Sequence, residues 1–214
     1  MKRYLALLLL PWLLSACSNL DIPQEDVEKV LTEYGKQNPE TKVVVSTKYG
    51  PVELKLYTET PLHRANFVRL IKKGYYNDRG FYRLVKGVCI QGGGEQKDQL
   101  NYTVPAEFRP NLVHKKGALS MARYSDNNPA KRSSSTEFFI VSKGIYYNDE
   151  ELKNYPPALK QLYLQQGGEI IFDKEYTVFG EVTKGLDVVD KIAKAPLGDL
   201  ERPVEIVKFS IRVE

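Results

Sequence analysis

Two short stretches, Gly80-Phe81-Tyr82-Arg83-Leu84-Val85 and Val88-Cys89-Ile90-Gln91, the second leading into Gly92-Gly93-Gly94, decide the fold class. Each is rich in aromatic and β-branched residues and ends at glycine or charged residues, as strands of antiparallel sheets do. Similar runs recur at Gly117–Ala122 and Glu137–Val141, separated by loops rich in Gly, Asn, Ser and Pro. This spacing predicts a mainly β protein built around an antiparallel sheet or barrel.

The flanking regions add further elements. Tyr49-Gly50-Pro51 separates two β-rich runs and predicts an opening hairpin. Thr60 and Pro61 are typical of a helix N-cap and first position, and Gly74 is typical of a helix end, so we predict a helix between them. The other predicted elements are strands at Val43–Lys48, Val52–Tyr57, Tyr176–Val182 and Val204–Val213, and helices at Gln24–Tyr34 and Leu186–Ala193.

One segment departs from the strand pattern. Between Ser142 and Ile171, apolar residues recur at helical spacing, with breaks at Pro156-Pro157 and Gly167-Gly168. We therefore predict a helical insertion at about residues 143–170. It is either a solvent-exposed loop stiffened by short helices or a lip that widens a binding surface.

Residues 1–16 have the features of a secretory signal peptide. Lys2-Arg3 precede an apolar run from Tyr4 to Leu14, which is shorter than the roughly 20 residues that a transmembrane helix needs. Leu14-Ser15-Ala16-Cys17 resembles the bacterial lipobox, which implies cleavage before Cys17, a diacylglyceryl thioether on its sulfur and acylation of the new amino terminus. The alternative is a plain secretory signal that leaves Cys17 as a free thiol.

A polar segment follows the predicted lipid site. It is acidic and broken by Pro23 and Pro39, so we interpret residues 17–41 as the lipidated cysteine and a tether. Several acyl chains anchor a protein stably to a membrane. We expect the mature chain at a membrane of the bacterial cell envelope. The outer membrane, facing the periplasm, is favoured because Ser18 replaces the aspartate that marks inner-membrane retention in some bacteria.

Charge and composition exclude several function classes. The 214 residues carry a formal charge of +4, and removal of residues 1–16 leaves 29 basic and 27 acidic side chains, too balanced for a nucleic-acid-binding surface. His63 and His114 lie far apart without ligands at metal-site spacing, so we expect no metal. No nucleophile stands beside a base, and no phosphate-binding loop is present.

Five blocks in order carry a family resemblance. They are Phe81-Tyr82-Arg83-Leu84-Val85, Cys89-Ile90-Gln91-Gly92-Gly93, Gly117-Ala118-Leu119-Ser120-Met121-Ala122, Glu137-Phe138-Phe139-Ile140 and Tyr176-Thr177-Val178-Phe179-Gly180. Together they resemble the cyclophilins over residues 42–214. The resemblance implies a closed eight-stranded antiparallel barrel capped by two α-helices, with peptide bound on its outer face. It also implies a peptidyl-prolyl cis/trans isomerase that assists the folding of envelope proteins. We expect a monomer with proline-containing polypeptide clients and no cofactor.

The same resemblance assigns roles to individual residues. Arg83 matches the catalytic arginine, whose guanidinium binds the twisted X–Pro amide better than either planar isomer. Gln91 matches the polar partner of the arginine and of the substrate backbone. The positions that the resemblance implies for substrate binding are Phe81, Val88, Cys89, Gln91, Ala122, Arg123, Glu137, Phe139, Phe172 and Tyr176.

Several positions depart from the best-known cyclophilin pattern. Val88 replaces a phenylalanine, Cys89 a methionine, Glu137 a glutamine and Tyr176 a histidine. A carboxylate at Glu137 suggests a pairing with Arg83 that would draw the guanidinium away from substrate. The alternative function is therefore a non-catalytic module with this fold that binds proline-containing segments.

Overall fold

The computed structural model of the protein describes residues 20–214 and confirms a closed antiparallel barrel of eight strands. The strands are β1 (Lys42–Thr47), β2 (Gly50–Leu56), β3 (Gly80–Val85), β4 (Cys89–Gly93), β5 (Thr103–Val104), β6 (Ala118–Met121), β7 (Ser133–Ser134), β8 (Glu137–Val141), β9 (Val178–Lys184) and β10 (Val207–Val213). The helices are α1 (Val27–Gln37), α2 (Pro61–Lys72), α3 (Pro157–Gln166) and α4 (Leu186–Ile192). The barrel order is β1-β10-β3-β4-β8-β6-β9-β2, and β5 pairs with β7 in a separate small sheet.

Aromatic and aliphatic side chains fill the barrel. Along β8, Phe138 points inward and is fully buried, whereas Phe139 belongs to an apolar cluster on the outer face. Phe67 of α2 packs edge-on against Phe138 and Phe179, with ring centroids 5.3 and 5.2 Å apart. Side chains of α4 join the same core. Because the interior is packed, a ligand site must use the outer surface.

The start of α2 is capped differently from the prediction. Thr60 stands at the N-cap position, but its hydroxyl makes no capping hydrogen bond. Instead, the Glu107 carboxylate accepts hydrogen bonds from the backbone N–H groups of Leu62 and His63, at 3.1 and 2.9 Å. It satisfies two free N–H groups and complements the positive end of the helix dipole.

Residues 20–41 form part of the folded domain, in contrast to the tether that we expected. Val27 and Leu31 are fully buried in a cluster between α1 and α2. The carbonyl of Leu20 accepts a hydrogen bond of 2.9 Å from Arg69 of α2. The polar residues that suggested a tether occupy the solvent face of an amphipathic helix.

The predicted signal peptide at residues 1–16 and the predicted lipid site at Cys17 lie outside the described residues. They remain predictions. Among the residues that the structure does describe, no helix has the length and apolar composition needed to cross a bilayer.

The predicted insertion is a compact folded segment on the outer face of the barrel. Its ends meet where Ile145 and Gly168 exchange backbone hydrogen bonds of 2.7 and 3.1 Å. A Cβ atom at Gly168 would lie 2.3 Å from the carbonyl oxygen of His114, so this close approach requires glycine. Leu152 and Tyr163 are fully buried in a small cluster beside α3. The insertion therefore has its own apolar core.

Candidate active site

A β-bulge in β3 places two consecutive side chains on the outer face. The pairing register with β4 shifts between Phe81 and Arg83, which leaves Tyr82 as the additional residue. Phe81 and Leu84 point into the core, whereas Tyr82 and Arg83 line an outer pocket. Bulges commonly re-aim side chains beside active sites. Phe81 is thus a core residue, and its expected role in substrate binding is wrong.

Arg83 stands in a row of side chains that crosses three neighbouring strands. Gln91 of β4 is its register partner, and Phe139 of β8 is the register partner of Gln91. The Gln91 side chain accepts a hydrogen bond from Arg83 Nη1 at 3.1 Å and donates one to the Tyr82 hydroxyl at 2.9 Å. Gln91 therefore orients both side chains that the bulge turns outward.

A pocket of about 380 Å³ opens beside this row, and we refer to it as the active-site pocket. Among the predicted substrate-binding positions, Phe81 and Val88 do not line it. Val88 packs instead against the outer apolar cluster that contains Cys89 and Phe139. The predicted residues that line the pocket are Arg83, Cys89, Gln91, Ala122, Arg123, Glu137, Phe139, Phe172 and Tyr176. The lining residues that were not predicted are Tyr82, Glu95, Tyr124 and Arg202.

Glu137 lies in the active-site pocket but does not form the ion pair with Arg83 that the sequence suggested. The Tyr124 hydroxyl donates a hydrogen bond to Glu137 Oε1 at 2.8 Å, and Tyr82 also contributes one. Burial raises the pKa of Glu137, although these hydrogen bonds oppose the shift. Arg83 pairs instead with Glu201, with 2.6 Å between Nη2 and Oε2.

Glu201 is a neighbour of Arg83 that sequence reasoning missed. It ends the short turn Asp199–Glu201, which precedes β10. Leu200 and Glu201 both adopt positive φ angles, 55° and 60°. Left-handed backbone costs about 1–2 kcal/mol for each non-glycine residue. The strained backbone of this turn therefore places the Glu201 carboxylate beside Arg83. No local sequence pattern indicates such a turn.

Ala122 and Arg123, the two residues that follow β6, line the active-site pocket and have hydrogen-bond partners within the protein. The N–H of Ala122 donates to the carbonyl of Glu137 at 2.9 Å, so this donor is not available to a peptide. Arg123 donates to the Glu175 carbonyl and carboxylate at 2.8 and 2.7 Å, and its guanidinium lies 5.3 Å from the Tyr176 ring centroid. The Arg123 side chain therefore supports the Tyr176 ring.

The far end of the active-site pocket is an aromatic cluster of Phe139, Phe172, Tyr176 and His114. The first three contact one another edge to face, at centroid distances of 5.7, 5.4 and 5.1 Å. The His114 ring lies parallel to Phe139 at 6.1 Å. Such aromatic pairs contribute about 0.5–1.5 kcal/mol each beyond their burial. Sequence reasoning weighed His114 only as a metal ligand and so missed this role.

Asp173 connects the aromatic cluster to the insertion. Its Oδ1 accepts a hydrogen bond from the His114 backbone N–H at 3.0 Å and lies 2.8 Å from His114 Nδ1. Its Oδ2 accepts hydrogen bonds from the hydroxyls of Tyr155 and Tyr163, at 3.1 and 2.7 Å. Burial lowers the pKa of His114, so the imidazole is neutral at pH 7. One carboxylate thus fixes both the ring beneath Phe139 and the insertion.

The chemistry of the pocket suits an amide that rotates without being cleaved. Burial raises the pKa of Cys89 to about 12, so its thiol stays protonated and acts as apolar surface. Arg83 supplies a permanently charged, planar donor. The aromatic cluster supplies an apolar surface of the kind that a proline ring needs. An enzyme that accelerates rotation about an X–Pro bond can use both features, the donor to bind the twisted amide and the apolar surface to hold the ring.

Comparison with known proteins agrees with this chemistry. Residues 42–211 match the family described as cyclophilin type peptidyl-prolyl cis-trans isomerase/CLD. A protein of Acinetobacter baylyi named "Peptidyl-prolyl cis-trans isomerase" is 31% identical over 185 residues, which cover 80% of this chain and 86% of the relative. A "Putative bifunctional phosphatase/peptidyl-prolyl cis-trans isomerase" of Streptococcus pyogenes is 30% identical over 200 residues. These cover 88% of this chain but only 40% of that protein.

The fold has a solved counterpart. A cyclophilin-type isomerase of Cryptosporidium parvum, crystallised in the presence of the dipeptide Ala-Pro, superposes with a TM-score of 0.59 at 23% identity, over 81% of this chain and 98% of that one. The family match begins at the first residue of β1 and ends within β10, so it contains the whole active-site pocket. The chain therefore belongs to the family of cyclophilin-type peptidyl-prolyl cis-trans isomerases.

Proposed function

We propose that this isomerase acts on proline-containing segments of bacterial envelope proteins and that Arg83 is its catalytic donor. The role of Arg83 is supported by its position in a row with Gln91 and Phe139, between the polar and the aromatic ends of one pocket. The envelope location is supported by the signal-peptide pattern of residues 1–16 and the lipobox at Cys17.

Arg83 lowers the rotational barrier by binding the twisted amide. The X–Pro barrier is about 20 kcal/mol because of the partial double bond, and twisting localises the lone pair on the prolyl nitrogen. A guanidinium N–H directed at this nitrogen or at the carbonyl stabilises the twisted state more than either planar isomer. Gln91 accepts a hydrogen bond from one terminal nitrogen of Arg83, so the donor is oriented before substrate binds.

The aromatic cluster binds the proline ring while the preceding residue rotates. Phe139 and Cys89 offer an apolar surface, and Phe172 and Tyr176 stand beside it. Ala-Pro, the dipeptide in whose presence the Cryptosporidium parvum relative was crystallised, is the shortest peptide that contains an X–Pro bond. Since the pocket needs only a proline ring and an adjacent amide, exposed X–Pro segments of many sequences qualify as substrates.

The cis-to-trans rate of a short X–Pro peptide tests the role of Arg83. The full chain, purified in detergent, should accelerate isomerisation. Arg83→Ala should lower kcat/KM by about 10²–10³-fold, as removal of one transition-state donor does in other enzymes. Arg83→Lys keeps the charge but loses the planar fork, so it should recover only part of the rate.

The same measurement separates the enzyme from the alternative of a non-catalytic binding module. Equal rates for wild type and Arg83→Ala, with circular dichroism showing both folded, would remove Arg83 from the mechanism. A folded wild type without any acceleration would favour the binding module.

The lipid anchor has a separate test. Cells fed labelled palmitate should label the wild-type chain and leave Cys17→Ala unlabelled, because the substitution removes the lipobox cysteine. The variant should also move from the membrane fraction to the soluble fraction. Labelling of Cys17→Ala would contradict the predicted lipid site.

A further inference from the structure

A second pocket, of about 550 Å³, lies between residues 108–113 and the insertion. We name it the insertion pocket and define it by Phe108, Leu112, Tyr155, Leu159, Ile170 and Tyr176. Tyr176 also lines the active-site pocket, so the two cavities are neighbours that share one side chain. Its volume falls within the roughly 300–1,000 Å³ that is usual for ligand pockets.

The lining of the insertion pocket favours an apolar group. Leu112 and Leu159 are only half-buried, so apolar surface stays in contact with water until something covers it. The lining carboxylate of Asp173 is engaged by Tyr155 and Tyr163 and does not need a cation from a ligand. Burial of an apolar side chain here therefore leaves no charge unpaired.

The rim of the insertion pocket is positively charged. Arg109 and Lys174 line it, and both side chains are exposed. Arg109 Nε donates to the carbonyl of Glu59, which fixes the guanidinium without neutralising it. Two cations around an apolar cavity complement an acidic residue that flanks an apolar one.

We propose that the insertion pocket is an accessory subsite for an aromatic or large aliphatic side chain of the client. This residue would lie about two to four positions from the proline, because a shared tyrosine separates the pockets and an extended chain advances about 3.3 Å per residue. The proposal rests on the proposed isomerase function. It gives the chain a sequence preference that the proline pocket and Arg83 do not supply.

Paired peptides test the subsite. One series places Phe two, three or four positions from the proline on either side, and the matched series places Ser there. The full chain in detergent should turn over the best Phe peptide with kcat/KM about tenfold above its Ser partner, chiefly through KM, as expected for burial of one aromatic side chain. Leu159→Glu should remove this difference and leave a tetrapeptide containing only the X–Pro bond unaffected.

A matched control introduces the same charge elsewhere on α3. Gln161 is exposed and does not line the pocket, so Gln161→Glu should behave as wild type. Should Leu159→Glu fail to fold, Lys174→Glu serves instead. Wild type should prefer Asp to Lys beside the Phe, and Lys174→Glu should reverse that preference.

Three results would overturn the subsite. The first is equal turnover of Phe and Ser peptides by wild type, and the second is a difference that survives Leu159→Glu. The third is a concentration-dependent dimer abolished by Leu159→Glu, which would identify a second copy as the occupant. If neither the wild type nor any variant isomerises the tetrapeptide, the proposed isomerase function is wrong, whether or not the subsite exists. Fluorescence anisotropy of the Phe and Ser peptides then still measures the subsite.

Discussion

The two ends of the active-site pocket are held in place by different forces. At the polar end, Arg83 pairs with Glu201, and both side chains are more than 40% exposed. Such pairs contribute about 0.2–1 kcal/mol and weaken with salt. At the aromatic end, His114 is buried against Phe139 and hydrogen-bonded to Asp173. The end that we propose performs the chemistry is therefore adjustable, whereas the end that we propose binds proline is rigid.

Removal of the Asp173 carboxylate should produce the largest effect. Asp173→Ala leaves the His114 N–H and the hydroxyls of Tyr155 and Tyr163 without their acceptor, so the free energy of unfolding should fall by about 3 kcal/mol. Urea denaturation measures this change. Asp173→Asn keeps one acceptor oxygen and should lose less. Unchanged stability in the alanine variant would mean that the aromatic end does not depend on this carboxylate.

Glu137→Gln should stabilise the protein at high pH and have little effect at low pH. Because the pKa of Glu137 is raised in the folded state, the folded protein holds this proton more tightly than the unfolded chain does. The resulting stability is present below the ordinary pKa of 4.5 and is lost as pH rises through the raised value. Glutamine removes this loss.

The gain from Glu137→Gln should grow between pH 4 and pH 8, by about 1.4 kcal/mol for each unit by which the pKa is raised. Thermal unfolding over a pH series measures it. Glu150→Gln, at an exposed site in the insertion, is the control and should show no such trend. A gain that is the same at every pH would contradict the raised pKa.

Glu201→Gln should give the smallest effect, an increase of about threefold in kcat/KM at low salt. The Glu201 carboxylate competes with the substrate for the Arg83 guanidinium. An exposed ion pair of this kind contributes less than about 1 kcal/mol. Salt should also accelerate the wild type but not the variant. Glu205→Gln removes a nearby ion pair with Lys48 and should change neither rate nor salt dependence. A fall in turnover for Glu201→Gln would instead make Glu201 an orienting residue.

Sequence patterns predicted the individual strands well because each strand carries its own signal, whereas the resemblance implied the closed eight-stranded barrel. β3 and β8 have the predicted bounds, and the blocks around Arg83 and Phe139 brought most of the pocket together. The resemblance implied that Phe81 binds substrate, but the bulge at Tyr82 interrupts the alternation of inward and outward residues, so Phe81 faces the core although Arg83 faces outward. A single unpaired residue in a strand leaves no signal in composition or periodicity.

The remaining differences arise from contacts between distant parts of the chain. Glu107 caps α2 from a loop more than forty residues away, and Glu201 reaches Arg83 across the barrel surface. His114 acquires its role only when Phe139 and Asp173 fold around it. Local propensity does not encode such partners, because tertiary packing selects them.

Because Leu20 packs against α2, it would limit the distance between a lipid anchor at Cys17 and the folded domain. Only Ser18 and Asn19 separate Cys17 from Leu20, and three residues of extended chain span about 10 Å. With acyl chains on Cys17, as proposed, the catalytic domain would stay in contact with the lipid headgroups. It would be unable to reach polypeptides far from the membrane surface. Its clients would then be polypeptides that pass close to that membrane while they fold.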